Sequence, residues 1–213
     1  MLRFDLHVHT THSRDAFCSV KEAVEAARAK GLDGIAITDH NTIGGLPEAK
    51  KFSRDGFIVI PGMEVSSTDG HILALGVSEL VPQGLPAGET VKLIRELGGI
   101  AVAAHPFLPW KNPMLVHKAK FDAIEAFNSR ALFPSNRLAR RFAERNHLPT
   151  TAGSDAHFPD EVGLASVRLN CEKKVGSILE EIKSGRGSIS GRCLPLPIHL
   201  QKIFYKIFLK RAL

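Results

Sequence analysis

The residues best suited to chemistry in this chain are histidines and carboxylates grouped at short spacing: His7-Val-His9, Asp39-His40, Glu64, His105 and Asp155-Ala-His157. Residues i and i+2 of a strand point to the same side, so both imidazoles of a His-x-His pair can reach one metal ion. One such pair is weak evidence. Five His/Asp/Glu clusters in succession are strong evidence, because buried imidazoles and carboxylates are costly to desolvate unless a cation satisfies them. A mixed imidazole and carboxylate set suits Zn, Mn or Fe.

These clusters need a scaffold that gathers them, and the pattern of the chain supplies one. Runs rich in β-formers are expected at 3–9, 34–38, 57–61, 71–77, 100–104, 122–127 and 150–153, with amphipathic helices at 20–30, 89–97 and 135–145 between some of them. Ser19 and Thr90 read as helix starts, Gly31 and Gly98 as stops. Strands separated by helices imply parallel pairing with right-handed crossovers. About seven of them suggest an α/β fold in the form of a closed or nearly closed β/α barrel, with a doubly wound sheet as the alternative. Each ligand-type cluster is expected at a strand C-terminus, and in a β/α barrel that end is the active-site face.

Composition narrows the class further. The chain has 213 residues, 44% hydrophobic and 23% charged, the balance of a globular protein with a sizeable core, which excludes disorder and collagen-like structure. No apolar run approaches the roughly 20 residues that span a bilayer, and the N-terminus lacks a signal-peptide pattern, so a cytoplasmic protein is expected. Cys18, Cys171 and Cys193 show no paired metal-ligand spacing and read as ordinary thiols. The net charge is +6, but seven basic residues and no acid lie between Lys183 and Leu213, so the basic character belongs to the tail. That asymmetry argues against a nucleic-acid surface covering the whole protein.

The segments Asp5-Leu-His-Val-His-Thr, Ile37-Thr-Asp-His-Asn, Gly62-Met-Glu-Val-Ser, Ala104-His-Pro-Phe and Gly153-Ser-Asp-Ala-His resemble the ordered motifs of the PHP superfamily, named for polymerase and histidinol phosphatase. The likeness runs from about residue 2 to residue 169. It implies a distorted seven-stranded, TIM-like β/α barrel, two or three divalent metal ions, and hydrolysis of phosphate esters. It also implies that His7, His9, Glu64 and Asp155 hold one metal, that Glu64 bridges to a second bound by His105, and that Asp15, His40 and His157 hold a third. Asp15 stands where some members have a histidine. In the sixth strand, where the family often supplies another histidine, Asn128 is the nearest equivalent and Glu125 a further candidate.

On that resemblance the reaction is attack by a hydroxide bridging two cations, on a small phosphomonoester or a short nucleic-acid phosphodiester. Asp155, His157 and Arg130 are the expected catalytic residues, with His157 or a metal-bound water protonating the leaving oxygen. Arg130 and Arg14 are expected to fork onto phosphate oxygens. His12 at the pocket mouth and His71 at the opening of a strand are further substrate contacts, although His71 also reads as a core histidine. Asp39 is expected to orient a ligand from behind. The rivals are amidohydrolase-like cleavage of a carboxylic amide or ester, and a non-catalytic PHP domain in a structural or RNA-associated subunit.

A boundary is expected near residue 190, dividing a barrel at 1–190 from a basic amphipathic extension at 191–213. There Leu200, Ile203, Phe204, Ile207 and Phe208 recur at helical spacing, with Lys202, Lys206 and Lys210 on another face. Such a helix would dock on the barrel or on a second subunit in a homo-oligomer, or else lie on an anionic membrane surface.

Overall fold

The computed structural model of the chain describes residues 1–53, 56–108 and 115–195, together with Pro197, Ile198, Leu200, Lys202 and Phe204. In chain order the first half holds β1 (Leu2–Val8), α1 (Val20–Ala29), β2 (Gly34–Ile37), α2 (Leu46–Ala49), β3 (Ile58–Ile60), β4 (Gly62–Ser67), β5 (Gly70–Leu75) and α3 (Ala87–Glu96). The second half holds β6 (Ile100–Ala103), β7 (Ala123–Asn128), α4 (Ser135–Arg145), β8 (Thr150–Gly153), β9 (Ala165–Leu169), α5 (Val175–Lys183) and β10 (Ser188–Gly191). The strands form two five-stranded sheets, ordered β10-β9-β1-β2-β3 and β4-β5-β6-β7-β8.

The closed seven-stranded barrel expected from the count of βα units does not form among the described residues; both sheets are mixed. β1, β2 and β3 pair in parallel, as do β6, β7 and β8, whereas β4-β5, β5-β6, β1-β9 and β9-β10 are antiparallel. Pro61 separates β3 from β4, and the short link at 68–69 into β5 admits only a hairpin, because a parallel return needs a crossover of a dozen or more residues. Glu64 therefore lies inside β4, opposite Leu73, rather than at the end of the third strand. The two sheets meet through isolated bridges at Val8–Ala156 and His40–Glu64.

Strand and helix patterns explain the rest. In β1, Phe4, Leu6 and Val8 are buried in the apolar clusters while Asp5 and His7 occupy the alternate face. Burying each such large apolar side chain contributes about 1.5–3 kcal/mol. Helix α1 starts as expected, with a capping box in which Ser19 Oγ accepts the Glu22 N–H and Glu22 accepts the Ser19 N–H, and it packs Val20, Ala23, Val24 and Ala27 inward. Helix α3 begins earlier than Thr90: Asp69, from the β4–β5 turn, accepts the Ala87 N–H at 2.9 Å and caps it from a distant segment.

Strand β10 straddles residue 190, and beyond it Arg192 N–H donates to the Leu164 carbonyl and Leu194 N–H to that of Ser129. Pro197, Ile198, Leu200, Lys202 and Phe204 have helical backbone; the remainder of the expected basic helix at 200–213 lies outside the described residues. Cys18, Cys171 and Cys193 are free thiols. No helix among the described residues is long and apolar enough to cross a membrane.

Candidate metal centre

The bridges between the sheets are where the site is built. At one seam His9 N–H donates to the Ala156 carbonyl at 2.9 Å and Asp155 N–H to the His7 carbonyl at 2.8 Å, setting His7, His9, Asp155 and His157 side by side. At the other, Glu64 N–H donates to the Asp39 carbonyl at 3.1 Å and Asn41 N–H to that of Glu64 at 2.9 Å, which sets His40 against Glu64. Three non-glycine residues of this region, Asn41, His105 and Asp155, have φ of 53°, 28° and 55°, in the left-handed region that side chains rarely adopt. Such strain gathers at functional sites and persists only where the surroundings over-determine it.

Glu64 is the hub. Its Oε1 lies 2.7 Å from His71 Nδ1 and 2.9 Å from His105 Nε2. Its Oε2 lies 3.0 Å from His40 Nδ1, 3.3 Å from His9 Nε2 and 3.5 Å from His7 Nε2. Asp155 Oδ1 lies 3.3 Å from His9 Nε2 and 3.7 Å from His7 Nε2, and Asp15 lies 2.9 Å from His157 Nε2 and 3.8 Å from His40 Nε2. Ligand-type atoms converge within 4.8 Å in the sets His7/His9/Glu64, His7/His105/Asp155, His40/Glu64/His71 and His9/His40/His157.

The backs of the rings settle what the fronts can do. His7 Nδ1 lies 2.9 Å from Glu125 Oε1, a pure acceptor, so it carries the proton. His157 Nδ1 likewise donates to the Asp155 carbonyl at 2.8 Å. Ser13 Oγ donates to Asp39 at 2.7 Å and must therefore accept from His9 Nδ1 at 3.2 Å and from the His40 N–H at 2.9 Å. Asp39 is thus linked to His9 through Ser13. Each of these rings turns an Nε2 lone pair inward, and those of His7 and His9 stand 3.1 Å apart. Two lone pairs that close repel unless a proton or a cation lies between them. His105 Nδ1 is buried without a hydrogen-bond partner among the described residues. This donor set fits divalent cations of the kind held by mixed nitrogen and oxygen ligands.

Electrostatics without a cation agree. Burial alone would lower the basicity of His7, yet the carboxylates of Glu125, Asp155 and Glu64 hold it well above the usual imidazole range. His9 is pushed up to about 9 by Asp155 and Glu64 against the same opposing burial. Burial would raise Glu64 and Asp155, but the histidines around them, led by His71 and His7 respectively, hold both well below the carboxylate range. Beneath them burial lifts Asp5 to about 6, even though it accepts from Ser154 Oγ and from the amides of Ser154 and Gly163.

The other expected residues divide. Asn128 turns its amide N–H to Glu125 at 3.0 Å and to Asp155 at 3.2 Å while its oxygen accepts the Arg130 N–H, so it presents a donor to the site and not a ligand oxygen. Arg130 Nη1 is 3.1 Å from both Glu161 oxygens, with the arginine side chain 11% exposed. His12 and Arg14 line an open polar cleft of about 590 Å³ with Asp15, His40, Asn41, Thr42 and Gln83. His71 belongs with the ligand-type atoms. Its signal was the Asp69-Gly70 turn, which folds β5 back on β4 and brings His71 diagonally across from Glu64 on one face. Glu161, buried behind His157, carried no signal in the sequence.

The PHP-associated family matches residues 133–186. An uncharacterized protein of Methanocaldococcus jannaschii is 35% identical over 141 residues, which are 60% of this chain and 82% of that one. A crystal structure from Bacteroides vulgatus, of a two-domain protein containing a predicted PHP-like metal-dependent phosphoesterase, superposes with a TM-score of 0.73 at 18% identity, over 96% of this chain and 69% of that one. The chain belongs to the PHP superfamily. Among relatives named for an activity, a 3′,5′-nucleoside bisphosphate phosphatase of Chromobacterium violaceum is 38% identical over 101 residues, 45% of this chain and 34% of that protein. A 5′-3′ exoribonuclease of Haemophilus influenzae is 32% identical over 105 residues, 47% of this chain and 38% of that protein. The chain thus spans little more than a third of the length of these two relatives.

Proposed function

We propose that this PHP chain hydrolyses phosphate esters using two or three divalent cations held by His7, His9, Asp15, His40, Glu64, His71, His105, Asp155 and His157. The observation that carries this reading is the set of inward Nε2 atoms whose opposite ring nitrogens are already committed to acceptors. Bound divalent cations would acidify a water molecule and offset charge on the phosphoryl oxygens. Glu64, with one oxygen toward His71 and His105 and the other toward His7, His9 and His40, would serve two of the ions. Asp155 offers Oδ1 to the same space, where it can accept the proton of the attacking water, while the Asn128 amide holds its other oxygen. Arg130 acts through Glu161, whose Oε2 accepts the His157 N–H at 2.7 Å.

Substrate enters along the cleft walled by His12, Arg14 and Gln83, where Arg14 and His12 meet the phosphate or its leaving group. The polar walls of this cleft suit a phosphorylated nucleoside or a short oligonucleotide, the substrate types named for the two relatives. The test is a screen of Mn- or Zn-loaded protein against phosphomonoesters, nucleoside 3′-phosphates and short oligoribonucleotides, with carboxylic amides and esters in parallel. Phosphoester turnover that EDTA abolishes and added metal restores is expected. Turnover confined to the carboxylic substrates would overturn the reading.

A further inference from the structure

We infer that Lys202, in the C-terminal tail beyond the family's motifs, is a positioning residue for the Asp15/His40/His157 side of the metal centre; the inference rests on the metal reading above. Its ammonium lies 2.6 and 2.8 Å from the two Asp160 oxygens, 3.2 Å from Glu161 Oε1 and 4.5 Å from the centroid of the Phe158 ring. These three contacts surround the residues that follow His157 directly.

Two routes run from Lys202 to the site. The first passes through Glu161, whose side chain is wholly buried: one oxygen faces Lys202, both face Arg130 at 3.1 Å, and Oε2 takes the His157 backbone N–H. The second passes through Phe158, which stacks on Phe17 at 5.2 Å; the Phe17 N–H donates to the His157 carbonyl at 2.7 Å and the Phe17 loop carries Asp15. Both amide groups of His157 and the Asp15 loop are thereby braced from behind. Asp15 and His157 are themselves 2.9 Å apart. The contact with Asp160 is the lesser part, because that carboxylate is largely exposed and exposed ion pairs contribute little. The contact with Glu161 matters more, since a buried carboxylate stripped of one of two cations becomes under-compensated and shifts to recover one.

His7, by contrast, is oriented from outside this brace, by Glu125. The proposal therefore predicts a selective effect. Full-length wild type, Lys202→Met, Lys202→Arg and Asp160→Asn are titrated with Mn(II), following bound ion by electron paramagnetic resonance. Lys202→Met should weaken one class of Mn(II) site about tenfold, the lower end of the range for partners that orient ligands, and leave the remaining class unchanged. Lys202→Arg, which keeps a cation over Phe158, should restore most of the lost affinity. Asp160→Asn should give a smaller shift of the same sign. Amide exchange at 157–161 should rise in Lys202→Met even without metal. Identical titrations for wild type and Lys202→Met, or equal weakening at every site, would overturn the proposal. A wild-type protein that takes up no Mn(II) would overturn the metal reading itself, and the proposal with it.

Discussion

Glu125 shows how much a residue outside the ligand set decides. It accepts from His7 Nδ1 at 2.9 Å, from the His105 N–H at 2.7 Å and from the Asn128 amide at 3.0 Å. A glutamine there has one accepting oxygen and a donating NH2, so Glu125→Gln leaves at least one donor facing another. The expected result is a 10- to 100-fold loss of metal affinity with the fold retained, measured by calorimetric titration and circular dichroism. A second prediction concerns pH. In the metal-free protein His9 titrates at about 9, above its ordinary 6.5, so the stabilisation it gives is complete below 6.5 and is lost as pH rises through about 9. The melting temperature of EDTA-treated protein should therefore fall over that interval. Metal affinity should rise over the same interval, because a cation must displace the proton. A flat affinity from pH 7 to 9 would contradict this protonation. At this scale most of the residues that converge on the centre were legible in the sequence, since His-x-His and Asp-x-His motifs are local. Glu161 was not legible, because its importance comes from lying behind His157 in space, and a lone glutamate in a loop announces nothing.

Among the elements, β8 is packed directly against the residues of the centre. A Cβ added at Gly153 would collide with His7 Cβ and stand 2.8 Å from Glu125 Oε1, and only backbone movement could relieve it. Gly153→Ala should push β8 from β1, destabilise the protein by about 1–3 kcal/mol and lower metal occupancy, as read by urea unfolding and elemental analysis. The parallel strands and the three longest helices were legible because each is a buried or amphipathic run with clear stops. The hairpin of β4 and β5 was hidden by Pro61 on one side and by the reading of Glu64 as a strand end on the other. β10, whose residues Ser188–Gly191 are mostly exposed, offers no apolar alternation by which a sequence could reveal it. The start of α3 was misplaced for a different reason: its cap, Asp69, comes from another part of the chain.

For the molecule as a whole, the difference between a barrel and two mixed sheets changes where stability resides. In a barrel every strand is held by two neighbours, whereas here β3, β4, β8 and β10 are each at the end of a sheet order. Removing metal should lower the melting temperature and raise amide exchange first at residues 8, 40, 64 and 156, where the sheets bridge. If exchange rose uniformly instead, the centre would stabilise the fold without joining its parts. Ligand at 100 times its Kd adds about 2.7 kcal/mol to a fold that alone binds it. His7, His9, Asp15 and His40 come from one sheet and its loops, while Glu64, His71, His105 and Asp155 come from the other or its exit. A cation shared among them would act as a rivet through two plates, and a cell short of metal would then lose the clamp that keeps the halves in register as well as the reaction.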